Sequence, residues 1–130
     1  MYGYIKFWGH MTYEVKVNQE QGYVHLVYTG DVDIEERKKA RDRVFVVRRQ
    51  YDLTRCLVET QNSNMRLSTK DIIDFANSFP DDLPPDYHVA VVAGQYADVD
   101  TLLENLASTA GLRIRAFKDG DAAIRWLIAY

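Results

Sequence analysis

The groups in this chain that could do chemistry are few: three histidines, one cysteine, and some clustered acids and hydroxyls. His10, His25 and His88 lie far apart, and none has a partner at ligand spacing. A zinc site wants about four ligands, so structural histidines are the simpler reading. Cys56 beside a histidine would make a nucleophile pair, but nothing local supports one. It falls in an expected strand, where a free cysteine is usually a buried core thiol. Asp81, Asp82 and Asp86 form an acidic loop able to hold a cation weakly. Their spacing is not that of a calcium-binding loop, so a solvated turn is expected. Gly94-Gln95-Tyr96 carries one glycine and reads as a turn rather than a phosphate loop. No acid–base, nucleophile or metal constellation emerges, so the expectation is a protein that is not an enzyme and needs no cofactor or metal.

Hydroxyls and cations offer binding rather than catalysis. Ser68, Thr69 and Ser63 are candidate regulatory or partner-contact residues. Ser68-x-x-Asp71 approximates a capping box, in which the hydroxyl takes an orphan backbone N–H at a helix start. A phosphate there would also meet free N–H groups and a favourable dipole. Arg37, Lys38, Lys39, Arg41, Arg43, Arg48 and Arg49 place seven of the sixteen basic residues on one helix, partly offset by Glu35, Glu36 and Asp42. Arg37, Lys38, Arg41 and Arg48 are the candidate anion-binding surface, facing an acidic partner or anionic lipid. A solvated face with local ion pairs explains the same charges.

The elements that must position these groups centre on Leu53 to Phe79. Leu57-Val58 belongs to a strand ending at Glu59-Thr60. Gln61 to Leu67 is a polar loop, and Ser68 opens a helix burying Ile72, Phe75, Ala76 and Phe79. In open α/β sheets the carboxyl edge of the strands, where this loop lies, is the usual place for sites.

Before it, Tyr13 to Val17 and Tyr23 to Tyr28 read as a hairpin about the turn Asn18 to Gly22. Asp31 or Asp33 then caps a helix from about Ile34 to Gln50, with acids in its first turn and arginines in its last. Ala40, Val44, Val47 and Tyr51 share its core face. After it, Pro80 to Asp86 cannot continue a helix. Tyr87 to Ala93 is a strand apolar on both faces. Asp98 caps a third helix ended by Gly111. Leu112 to Phe117 alternates as the last strand, and Asp119-Gly120-Asp121 leads into a last helix packing Ala123, Ile124, Leu127 and Ile128 inward.

This order, ββαβαβαβα, predicts an α/β fold: a mainly parallel five-stranded sheet with an antiparallel N-terminal edge hairpin and four helices. At 130 residues the chain is long enough for one core, and 47% apolar content excludes disorder. No apolar run reaches the roughly 20 residues of a membrane span. The start has no signal-peptide pattern, and a lone cysteine fits a cytoplasmic protein. A net charge of −3 argues against nucleic-acid binding. Residues 1–10 read as a tail, an added strand or a cloning scar, with residues 11–130 as one domain.

The order of elements, Tyr28-Thr29-Gly30 leaving the second strand, the capped helix after Glu59, and the terminal FKDGDAAIRWL together resemble the STAS-like superfamily. The resemblance spans about Met11 to Tyr130. That superfamily includes bacterial anti-sigma factor antagonists and a branch akin to CRAL-TRIO lipid-binding domains, and many small bacterial members have no assigned activity. In the antagonists a serine at the start of the second helix is phosphorylated by a partner kinase. By position that serine is Ser68. The acidic residue and glycine of their Asp-Ser-Ser-Gly-like run are missing here, where the chain has Asn62-Ser63-Asn64 and Ser68-Thr69. The resemblance implies a non-enzymatic regulatory or protein-interaction domain with an unknown protein partner. The alternative is a small-molecule or lipid-binding module with an apolar pocket near the carboxyl ends of the strands. Pairing into a homodimer through an edge strand or helix face is a further expectation.

Overall fold

The computed structural model describes residues 4–9, 12–94, 105 and 113–129. Alternating side chains make β2 (Tyr13–Asn18) and β3 (Tyr23–Tyr28) an antiparallel hairpin, with Tyr13 opposite Tyr28 and Asn18 opposite Tyr23. Its turn needs the positive φ of Gly22, and the Asn18 side chain accepts the Gln21 N–H at 2.9 Å.

Three more strands extend the sheet from β3 in parallel: β5 (Arg55–Glu59), β7 (His88–Val92) and β8 (Arg113–Phe117). These are the five strands the sequence pattern predicts. A sixth, β1 (Tyr4–Gly9), pairs antiparallel with β2 through an irregularity between Lys6 and Trp8. The N-terminal segment is thus an added strand, and β2 is not the sheet's edge. The order across the sheet is β1-β2-β3-β5-β7-β8.

A further correction concerns two stretches expected to be loop. β4 (Gly30–Val32) and β6 (Ser63–Met65) form a separate parallel pair. Neither has strand-like composition. Each is extended only because the fold brings the other alongside, a tertiary effect that local pattern does not carry.

α1 (Ile34–Tyr51) is capped by Asp33, with a reciprocal Glu36 side chain completing a capping box. Asp52, at φ 52°, ends it in a left-handed turn. Ala40, Val44 and Val47 are buried as expected, and Tyr51 is half-buried. α2 (Thr69–Ala76) buries Ile72, Phe75 and Ala76 and stops at Asn77. Phe79 therefore lies beyond the helix, half-buried, with its ring edge-on to Phe45 and Phe75. α3 (Gly120–Ile128) is capped by Asp119 and buries Ala123 and Leu127. Ile128, expected inside, is 39% exposed, one residue past the last buried position. The helix expected from Asp98 to Gly111 lies outside the described residues except at Asn105, which is helical; the complete helices among the described residues are the three above.

Strand alternation sends successive side chains to opposite faces. One face, carrying Val15, Val17, Leu26, Cys56, Val58 and Ile114, packs with α1 and α2 into the larger core. The other, carrying Tyr23, Leu57, Ala90 and Val92, packs under α3 with Ala123 and Leu127.

Candidate functional site

The carboxyl edge of the strands is tied down by backbone bonds. As β5 ends, Thr60 donates its N–H to the Val92 carbonyl at 2.9 Å, and its hydroxyl reaches the same oxygen at 3.3 Å. Ser63 then folds back, donating both its N–H (3.0 Å) and its hydroxyl (2.7 Å) to the Thr60 carbonyl. The β4–β6 pair holds the rest of the loop: Gly30 N–H meets Asn62 O at 3.2 Å, and Arg66 N–H meets Val32 O at 2.8 Å. Asp31 accepts from Asn64 at 3.2 Å and lies 3.6 Å from Arg66. Gly94 passes so close that a Cβ there would sit 3.3 Å from the Gln61 backbone.

This loop delivers the start of α2 at the surface. Ser68 caps it: its hydroxyl accepts the Asp71 N–H at 3.1 Å, and its own N–H donates to the Asp71 carboxylate at 3.0 Å. Ser68, Thr69 and Lys70 are exposed, Lys70 pairs with Asp74 at 3.1 Å, and Ile73 presents 40% of its surface one turn on. Of the three hydroxyl residues singled out in the sequence, Ser68 and Thr69 share this surface. Ser63 is half-buried, its hydroxyl engaged within the turn.

The four cations of the candidate anion surface do not share a solvent-facing patch. Arg37 is only 3% exposed, its guanidinium over the rings of Tyr28 and Phe75 at 5.7 and 5.3 Å. Arg41 lies over Phe75 at 4.9 Å and bonds Ser78 and Asp42. Arg48 donates to Leu53 O at 2.9 Å beside the Tyr87 ring. Lys38 pairs with Glu35 at 4.0 Å. A guanidinium is weakly hydrated and planar, so it can turn inward onto aromatic faces where an ammonium would not. Arg37 and Arg41, with Tyr28, Phe75, Phe79 and Tyr87, line a cavity of about 50 Å³ between α1, α2 and the sheet.

Cys56 is buried, as expected. Burial pushes its thiol up to about 12, against a smaller lowering by the hydrogen bond with Tyr87. Burial likewise raises the Tyr87 hydroxyl well above its ordinary value. A thiol held in this form is a poor nucleophile. Asp81, Asp82 and Asp86 are all exposed, and no three His, Cys, Asp or Glu residues are grouped to hold a metal among the described residues. His10 lies outside those residues.

Two polar constellations were not legible as such. His25, 7% exposed on β3, sets Nε2 2.5 Å from Glu59 Oε2 on β5, and Gln61 donates to the other Glu59 oxygen at 2.9 Å. The His25 ring holds the Glu59 carboxyl below its ordinary value of 4.5, against burial, which raises it. His88 opens β7 and contacts backbone carbonyls with both ring nitrogens. The only signal for either was a polar residue interrupting an apolar strand. Its partner depends on which strands are neighbours and in what register.

No family model matches the chain, and no curated protein matches it. A structural similarity was found to an uncharacterized protein of the DUF3478 family with a SpoIIAA-like fold from Shewanella loihica PV-4. The match has a TM-score of 0.56 at 13% sequence identity, covering 93% of this chain and 98% of that chain. The fold is SpoIIAA-like. A SpoIIAA-like fold agrees with the STAS-like resemblance drawn from the order of elements, and at this identity the likeness is one of fold. No helix among the described residues is long and apolar enough to cross a membrane.

Proposed function

We propose that the chain is a non-enzymatic, cytoplasmic regulatory or protein-interaction domain of the STAS-like type, contacting its partner through α2 and the loop before it. The observation that carries this reading is the exposed start of α2, where Ser68, Thr69, Lys70 and Ile73 stand together at the end of a loop fixed by the β4–β6 pair. A surface held in place loses little freedom on docking, which favours binding. The cavity beside Arg37 supports the same choice over an enclosed ligand. Its volume of about 50 Å³ falls well below the ~300–1,000 Å³ of ordinary ligand sites.

Native mass spectrometry of the protein purified from its own cells tests the reading. A complex with a second protein, lost in the double variant Lys70→Glu/Ile73→Asp, is the expected result. A complex of two copies lost in the same variant would make the partner a second chain. A small mass retained in the native state and shed on denaturation, unchanged in that variant, would overturn the reading in favour of a bound lipid or small molecule.

A further inference from the structure

His88 is 2% exposed, and both of its ring nitrogens face carbonyl oxygens: Nδ1 is 2.8 Å from Asp86 O, and Nε2 is 2.9 Å from Leu127 O. A carbonyl oxygen only accepts. A neutral imidazole has one N–H and one bare lone pair, so it can satisfy one of these oxygens and must repel the other. Only the doubly protonated ring satisfies both. We propose that His88 is a buried imidazolium, and that it acts as a proton-operated latch on α3.

Burial alone disfavours the charged ring, and the end of α3 offsets it. Leu127 lies in the last turn of α3, where carbonyls have no partner within the helix and the dipole's negative end collects. The Trp126 ring stands edge-on to His88 at 5.4 Å and fills the side of the site. The charged groups on neighbouring elements are Arg55, in register with His88 on β5, Arg113, in register on β8, Arg125 on α3, and the Asp86 side chain. The three arginines oppose a further cation. Arg113 and Arg125 are exposed, and Arg55 turns its guanidinium toward Gln21 O at 3.4 Å, so water and the turn carbonyl screen much of that opposition. Asp86, also exposed, adds a weak favourable charge.

Loss of one proton to solvent leaves a bare nitrogen against one carbonyl. If Nδ1 keeps its proton, the contact with Leu127 is lost, and with it one polar tie of α3 to the sheet. Beneath α3 lies the smaller apolar cluster of Tyr23, Leu57, Ala90 and Val92, which lifting of the helix would uncover. The proton is bound with α3 closed and released with it open. The opening equilibrium therefore rises about tenfold per pH unit wherever His88 is charged only in the closed state. This device is independent of the surface at α2.

The test is a ring-nitrogen NMR titration of the full chain, with amide exchange followed in parallel and corrected for the intrinsic effect of pH. At about pH 7.5, where an unperturbed imidazole is mostly neutral, His88 is expected to show two protonated nitrogens. Amides of Ala123 to Leu127 should lose protection as pH rises, while those of Val44 and Val47 do not. His25→Gln should leave this pattern intact, and His88→Gln should abolish the pH dependence of α3. Should His88→Gln not fold, the wild-type titration decides alone. A single neutral tautomer at that pH, or α3 protection that does not change with pH, would overturn the proposal.

Discussion

The two faces of the sheet are built on different terms. Under α1 and α2 the strands contribute valine, leucine, isoleucine and Cys56, and the charges that enter, Arg37 and Arg41, do so by lying on aromatic rings. Under α3 the apolar cluster is smaller, and the same face carries His25 with Glu59 and His88 with its two carbonyls. Stability on the first face rests on apolar area and shape, so it should respond to lost volume and little to pH. On the second it rests on polar groups whose protons must be in the right place. Removing one partner there leaves a buried group unsatisfied, which costs more than the bond contributes.

The largest expected effect is on the first face. Phe75→Ala removes a buried ring that also supports Arg37 and Arg41, and should destabilise the fold by about 3–5 kcal/mol. Denaturant unfolding measures it, and a loss under about 1 kcal/mol would mean the arginine–aromatic cavity collapses freely. Leu127→Ala, under α3, should cost about 2–4 kcal/mol. Unlike Phe75→Ala, it should lower amide protection in α3 before that in α1. Uniform loss across both helices would erase the distinction between the faces.

Glu59→Gln comes next, at about 1.5–3 kcal/mol near neutral pH, the range for a hydrogen bond to a charged group. The folded carboxyl lies below its ordinary 4.5 because His25 bonds it. Its contribution is therefore full above about pH 4.5 and fades as pH falls through the lowered folded value. An acid titration of stability should show this decline in the wild type and less of it in the variant. Identical acid profiles would remove Glu59 from the account. The smallest effect is Ser68→Ala, about 1 kcal/mol for a lost cap, with Ser68→Asp close to neutral because aspartate also caps. A loss above about 2 kcal/mol would mean the hydroxyl does more than cap.

The sequence shows these faces unequally. The hairpin, the caps at Asp33 and Ser68, and the apolar run around Val89 to Val92 are local patterns, and the structure carries all of them. The first face follows from helical spacing, since Ala40, Val44 and Val47 recur at that interval. The inward turn of Arg37 does not follow, because a basic residue on a helix reads as solvent-facing until the rings beneath it are known. The β4–β6 pair escapes for a related reason: Gly30 and Ser63 are 33 positions apart and meet only in the fold. The second face was least legible. His25 finds Glu59 across two adjacent strands, and His88 finds the end of the last helix 39 positions away, so their roles depend on register rather than on neighbours in sequence.

The central claim is that α2 and its loop are the contact surface. A photo-crosslinking residue at Ile73 and, separately, one at Val46 on the outer face of α1 would test it in the protein's own cells. Both positions are exposed and apolar, so they differ chiefly in place. The account predicts a discrete protein adduct from Ile73 and none from Val46. A discrete adduct from Val46 with none from Ile73 would move the contact to α1 and contradict it.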